Sequence, residues 1–191
     1  MENQIIKKSN WQSFWELARF AIVAILIVVP IRMFIAQPFI VSGSSMVPTF
    51  ADGQYLIVDE ISYILGTPKR DDVVIFRNPN NTKIFFIKRI IGLPGETVDV
   101  KSDTNEVTIT NKEHPNGFKL DQSFIKNIGG IDGHMELKAN EYFVMGDNRP
   151  ASSDSRYWGV VSKNLMIGKA FLRLLPVNKI DFMPGYYKQA E

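Results

Sequence analysis

Hydrophobic and polar positions fall into three regimes along the chain. Residues 20–31 (FAIVAILIVVPI) form an uninterrupted apolar run bounded by Arg19 and Arg32. Taken strictly, this run is shorter than the roughly 20 residues a membrane-spanning helix needs. Phe14, Trp15, Leu17 and Ala18 extend it on one side, and Met33, Phe34, Ile35 and Ala36 on the other, with both arginines close enough to the ends to snorkel. The expected element is a transmembrane helix over residues 14–36. Trp11 and Trp15 suit an interfacial belt, and Lys7 and Lys8 favour a cytoplasmic segment 1–13 with residues 37–191 exported. A cleavable secretory signal has the same general form. No small-x-small site follows the run closely, so an uncleaved anchor is the better reading.

From Pro38 onward the pattern changes to short runs punctuated by Gly, Pro, Asn and Asp, the signature of strands and turns. Strands are expected at 39–42, 54–58, 73–76, 84–91, 97–100, 106–110, 141–145 and 166–174, and a helical turn at 60–65. Long amphipathic helices are missing after the anchor. That disfavours a parallel βαβ architecture and points to a mainly β domain of antiparallel sheets or a barrel-like fold. Residues 101–138 form the third regime, more polar and turn-rich, expected as a smaller inserted β lobe.

Composition narrows the function classes. With 191 residues the chain is long enough for one domain plus an anchor, and 45% hydrophobic against 22% charged residues excludes a disordered chain. Net charge is +2 with scattered basic residues, so no nucleic-acid partner is expected. No cysteine is present, which excludes disulfides and thiolate metal sites.

Three segments carry candidate chemistry. In Ser42-Gly43-Ser44-Ser45-Met46-Val47-Pro48-Thr49, a small-residue turn is either a surface loop or a place where a serine hydroxyl is exposed as nucleophile and its N–H faces an oxyanion. A nucleophilic serine needs a base. The only histidines, His114 and His134, lie in the polar insertion, so a Ser/His/Asp triad is poorly supported. In the strand run 84–91, alternation puts Lys88 on the same face as Ile84, Phe86 and Ile90. If that face is buried, desolvation lowers the lysine pKa and makes it a base; if the strand is at an edge, Lys88 snorkels to water. The third segment, Gly146-Asp147-Asn148-Arg149 through Ser152, Asp154 and Arg156, interleaves carboxylates and guanidiniums, and its hydroxyls could orient a neutral amine. A solvated loop is the alternative. Ser123-Phe124-Ile125-Lys126 fits a Ser-x-x-Lys pattern without its companion motifs and is treated as chance.

Together these segments resemble bacterial type I signal peptidases, also called leader peptidases. Ser45-Met46-Val47-Pro48-Thr49 is similar to the family's nucleophile box, Lys88-Arg89-Ile90-Ile91-Gly92-Leu93-Pro94-Gly95-Glu96 to its lysine box, and the 146–156 segment to its third box. The resemblance implies Ser45 as nucleophile, Lys88 as general base and Ser152 as the residue that holds the lysine amine. It implies structural ion pairs for Asp147 with Arg89 and for Asp154 with Arg156. Some members carry a hydroxyl donor to the oxyanion hole two places before the nucleophile. Here that place is Gly43, leaving the Ser45 N–H and the Gly43 region. The resemblance further implies cleavage at Ala-x-Ala-like sites in shallow pockets lined by Val41, Met46, Phe86 and Ile87, through an acyl-enzyme and without metal or cofactor. Its implied partners are signal-peptide-bearing preproteins and the lipid bilayer, near the secretion translocon. Two competing readings are a self-cleaving repressor-type Ser/Lys protease, which normally has no membrane anchor, and an inactive membrane-tethered β-domain that binds signal peptides.

Overall fold

A computed structural model of the chain describes residues 10–30 and 36–187. The apolar run lies in helix α1 (Asn10–Pro30). Its described side chains are mostly exposed, Trp11, Leu17, Phe20 and Leu26 among them. The described helix begins at Asn10, before the expected 14, and residues 31–35 of the expected 14–36 lie outside the described residues. Among the described residues no helix is long and apolar enough to cross a membrane.

The rest is built from antiparallel strands, as short runs rich in β-branched and aromatic residues require. In chain order these are β1 (Ala36–Ile40), β2 (Tyr55–Asp59), the short helix α2 (Ile61–Leu65), β3 (Val73–Asn78) and β4 (Asn81–Gly92). Then follow β5 (Thr97–Lys101), β6 (Glu106–Thr110), β7 (Phe118–Lys119), β8 (Gly133–Glu136) and β9 (Glu141–Met145). The one-turn helix α3 (Ser155–Trp158), β10 (Val161–Ser162), β11 (Met166–Leu175) and β12 (Asp181–Phe182) complete the series.

The larger sheet runs β1-β2-β11-β3-β4-β9-β10, with β12 added to β11, and the smaller runs β7-β6-β5-β8. Both are open, which corrects the barrel-like expectation: β1 and β10 end the main order without pairing to each other, so the sheet does not close. The smaller sheet begins at Thr97, so β5 belongs to the lobe expected over 101–138. In β5 and β6 every second residue is buried, and Val98, Val100, Val107 and Ile109 pack with Ile91, Phe143 and Met145 of the main sheet. That apolar seam fixes the smaller lobe against the strands that carry the site.

Strand β4 departs from alternation. Its first five residues are exposed, and its last five, Lys88 to Gly92, are buried on both faces. The reason is topological: β4 is an interior strand between β3 and β9. The edge-strand alternative for Lys88 is thereby removed. On one face lie Phe76, Ile90 and Val144, and beneath the serine turn lie Met46, Phe50, Leu56 and Ile75.

Candidate active site

Strand β1 delivers the chain into the Ser42–Thr49 turn. Gly43 has φ +91°, a left-handed conformation that favours glycine, and its N–H donates to Asp52 Oδ1 at 2.7 Å. The Gly43 N–H is therefore occupied, whereas the Ser45 N–H donates to no backbone or side-chain acceptor among the described residues. Ser45 is half-buried, and Met46 inserts into the core at 1% exposure. The hydrophobic residue after the serine thus roots the turn.

Lys88 Nζ lies 2.8 Å from Ser45 Oγ, and it donates to the Ile87 carbonyl at 2.9 Å. Lys88 is 4% exposed. Burial pushes its pKa down to about 8, and the negative charges of Asp154 and Asp147 offset part of that fall. With that pKa a minority of the amine, on the order of a tenth to a fifth, is neutral near physiological pH, and it lies within hydrogen-bond reach of a hydroxyl. Such a pair is competent for general-base activation of an oxygen nucleophile.

The loop after β9 braces this pair. Asn148 N–H donates to the Ser45 carbonyl at 2.9 Å, and Asn148 Nδ2 to the Ser44 carbonyl at 3.0 Å. Gly146 sits where any Cβ would collide with the Ser45 carbonyl and Ser152 Oγ. Sequence reasoning placed Gly146 and Asn148 in the third box of the resemblance but assigned no individual role to them or to Asp52. Asp147 receives two hydrogen bonds from Arg89, Nε at 2.8 Å and Nη2 at 2.6 Å, with both side chains 1% exposed, and a third from Thr49 Oγ1. Asp154 likewise receives Arg156 Nε and Nη2, both at 2.8 Å, and the Gly146 N–H at 3.1 Å. Each pair is a fork-to-carboxylate contact that fixes a backbone segment.

The structure thus brings Ser45 and Lys88 into contact and joins Arg89 to Asp147 and Arg156 to Asp154. It treats Ser152 differently. Ser152 is buried and packs against Gly146, but its Oγ has no hydrogen-bond partner among the described residues, and the lysine amine is held by the Ile87 carbonyl instead. Close to the pair opens a cleft of about 220 Å³ lined by Val41, Ser45, Phe86, Ile87 and Lys88, with Phe39 and Phe85 in edge-to-face contact on its wall. Met46 is not on that lining: the 1% exposure that makes it a root of the turn removes it from the cleft. Among the described residues no group of three or more His, Asp or Glu side chains gathers as a metal ion would need.

The chain is similar to known proteins in three comparisons. The family model described as signal peptidase, peptidase S26, matches residues 14–175. Signal peptidase I of Bacillus amyloliquefaciens is 36% identical over 187 residues, covering 92% of this chain and 91% of the relative, and signal peptidase I T of Bacillus subtilis is 35% identical over 178 residues, covering 91% of each. A crystal structure of a signal peptidase I from Enterococcus faecalis, 33% identical, covers 54% of this chain and 96% of its own with a TM-score of 0.45. A family match over most of the chain, with relatives aligned along nearly all of it, settles the kinship: the chain belongs to the signal peptidase family, peptidase S26.

Proposed function

We propose that this chain removes signal peptides from exported preproteins as a serine endopeptidase, with Ser45 as nucleophile and Lys88 as general base. The observation that carries this reading is the 2.8 Å approach of Lys88 Nζ to Ser45 Oγ in a site where the lysine is buried. The neutral amine takes the Oγ proton as Oγ attacks the scissile carbonyl. The same proton passes to the departing amine nitrogen, leaving an ester on Ser45. Water then loses a proton to Lys88 and attacks the ester, which releases the acid and regenerates the hydroxyl. The open Ser45 N–H is the donor for the developing oxyanion.

The apolar walls of the cleft, with Val41, Phe86 and Ile87, favour small apolar side chains before the cut, in keeping with Ala-x-Ala-like sites. Ser152 would engage the amine once substrate enters, since a buried hydroxyl without a partner is costly. The proposal extends to the lipid bilayer: the exposed apolar side chains of α1 favour contact with acyl chains, with the N-terminus cytoplasmic, the β domain outside and the translocon nearby.

The test is cleavage of a preprotein in detergent by wild type, Ser45→Ala and Lys88→Ala, each checked for folding by circular dichroism. Wild type should cut after a small-x-small site, and both variants should lose at least about a thousandfold in rate. A folded Ser45→Ala variant with wild-type activity removes the nucleophile assignment, and a folded wild type that binds but never cuts replaces the enzyme with a binding module.

A further inference from the structure

The segment after β11 lies beyond the residues matched by the family model, yet it reaches the catalytic strand. From Pro176 the chain makes a short turn and pairs back on β11 through β12, with Phe182 opposite Leu172 and Asp181 opposite Arg173. Met183 N–H continues this return, donating to the Phe171 carbonyl at 2.7 Å. Gly185 then adopts φ +77° and turns its carbonyl onto Arg89, which donates from Nη1 at 2.6 Å. Tyr187 finishes the crossing. Its ring packs on Phe124 with centroids 4.3 Å apart, and its hydroxyl reaches Asp121 and Ser123. Phe124 in turn lies under the Arg89 guanidinium, 4.7 Å from ring centroid to Cζ.

Resting on the Ser45/Lys88 reading, we infer that residues 181–187 are a positioning element for the catalytic pair, acting through Arg89 and Arg173. Two routes run from this strap to Ser45. In the first, Gly185 and Phe124 close over Arg89, whose remaining donors hold Asp147 and the Asp71 carbonyl. Asp147 is flanked by Gly146 and Asn148, the residues that abut and hydrogen-bond the Ser45 carbonyl. In the second, Arg173 binds the strap through the Lys179 carbonyl at 2.8 Å and Asp181 at 3.1 Å. From the same guanidinium it donates to the Thr49 carbonyl in the serine turn at 2.9 Å. Gly185 also sits flush against that turn: a Cβ there would come within 2.7 Å of Thr49 Cγ2 and 3.2 Å of Phe50 Cε2.

A strap that only covered apolar surface would not place hydrogen bonds on both arginines that border the site. Releasing it would leave Arg89 Nη1 with one acceptor fewer and free the Thr49 side of the serine turn. The expected result is loss of alignment between Oγ and Nζ with the substrate cleft, whose lining includes no residue of the strap, left intact.

The experiment compares Gly185→Ala, Tyr187→Ala and Tyr187→Phe in the full chain, measuring kcat and KM for a signal-peptide substrate well below the melting temperature. Hydrogen exchange over 181–187 reports whether the strap has moved. Gly185→Ala and Tyr187→Ala should lower kcat about tenfold to a hundredfold with KM within about twofold, as for small misplacements of reacting groups. Tyr187→Phe keeps the ring on Phe124 and should restore most of kcat. A displaced strap with unchanged kcat overturns the inference, as does an equal loss in Tyr187→Phe and Tyr187→Ala or a loss carried by KM alone. If Gly185→Ala does not fold, the two Tyr187 variants decide the question. An active Ser45→Ala enzyme would instead overturn the underlying Ser/Lys reading, so the two failures are distinguishable.

Discussion

The two sheets handle charge in opposite ways. In the smaller sheet the core cluster is apolar, and the ion pairs between its own strands, Lys119 with Glu106 and His134 with Asp99, are partly or largely exposed. At the junction of β4 and β9 in the main sheet, Lys88, Arg89, Asp147, Asp154 and Arg156 are buried together. Burying charge costs free energy unless every donor and acceptor is matched. The matched contacts of Arg89 and Arg156 are therefore what allows an under-solvated lysine to exist beside them. The smaller sheet is held by burial of surface, while the site is held by a hydrogen-bonded framework around one destabilised amine.

The largest expected break in this contrast comes from Asp147→Ala. It strands Arg89 in the interior and frees Thr49, and it should cost about 3–5 kcal/mol of stability, measured by urea unfolding. Equal stability of variant and wild type would mean that the pair does not organise the site.

Next in size is the response to pH. Below pH 8 Lys88 is mainly protonated, so cleavage should rise about tenfold per pH unit from pH 6 and level off above about 8. Stability follows the same group. Its pKa is about 8 in the folded protein against 10.5 for an unperturbed lysine, so between these values the unfolded chain binds more protons. Stability should therefore rise with pH across that window, and Lys88→Met should remove the rise. A rate that is flat from pH 6 to 9 with the fold intact would contradict a lysine base.

The smallest effect belongs to the other sheet. Lys119→Ala, which deletes an ion pair whose lysine is 69% exposed, should leave both cleavage and the unfolding midpoint indistinguishable from wild type. A clear loss of activity there would show that the smaller lobe communicates with the site electrostatically.

The same contrast governs what could be read from sequence. In β5 and β6 alternate residues are buried, so Val98, Val100, Val107 and Ile109 were legible as a core face from local pattern alone. The second half of β4 and most of β9 are buried on both faces, and there alternation carries no information about which residue meets which. Helix α1 showed a third behaviour: its apolar run was plain in the sequence, and the described helix extends four residues before the expected start, into Asn10-Trp11-Gln12-Ser13. The short strands β7, β8, β10 and β12 escaped notice because two to four residues are too few to show a period.

By itself the sequence determined the mainly β character, the apolar N-terminal helix, and the identity of a serine turn, a lysine strand and an acidic-basic loop, because these follow from residue type and short-range spacing. Only the tertiary structure decided that β4 is an interior strand, that Lys88 Nζ reaches Ser45 Oγ, that Met46 roots the turn instead of lining the cleft, and that the C-terminal strap meets Arg89. Burial and contact between residues tens of positions apart depend on which strands become neighbours, and strand neighbours are chosen by the packing of the whole chain, not by any segment of it.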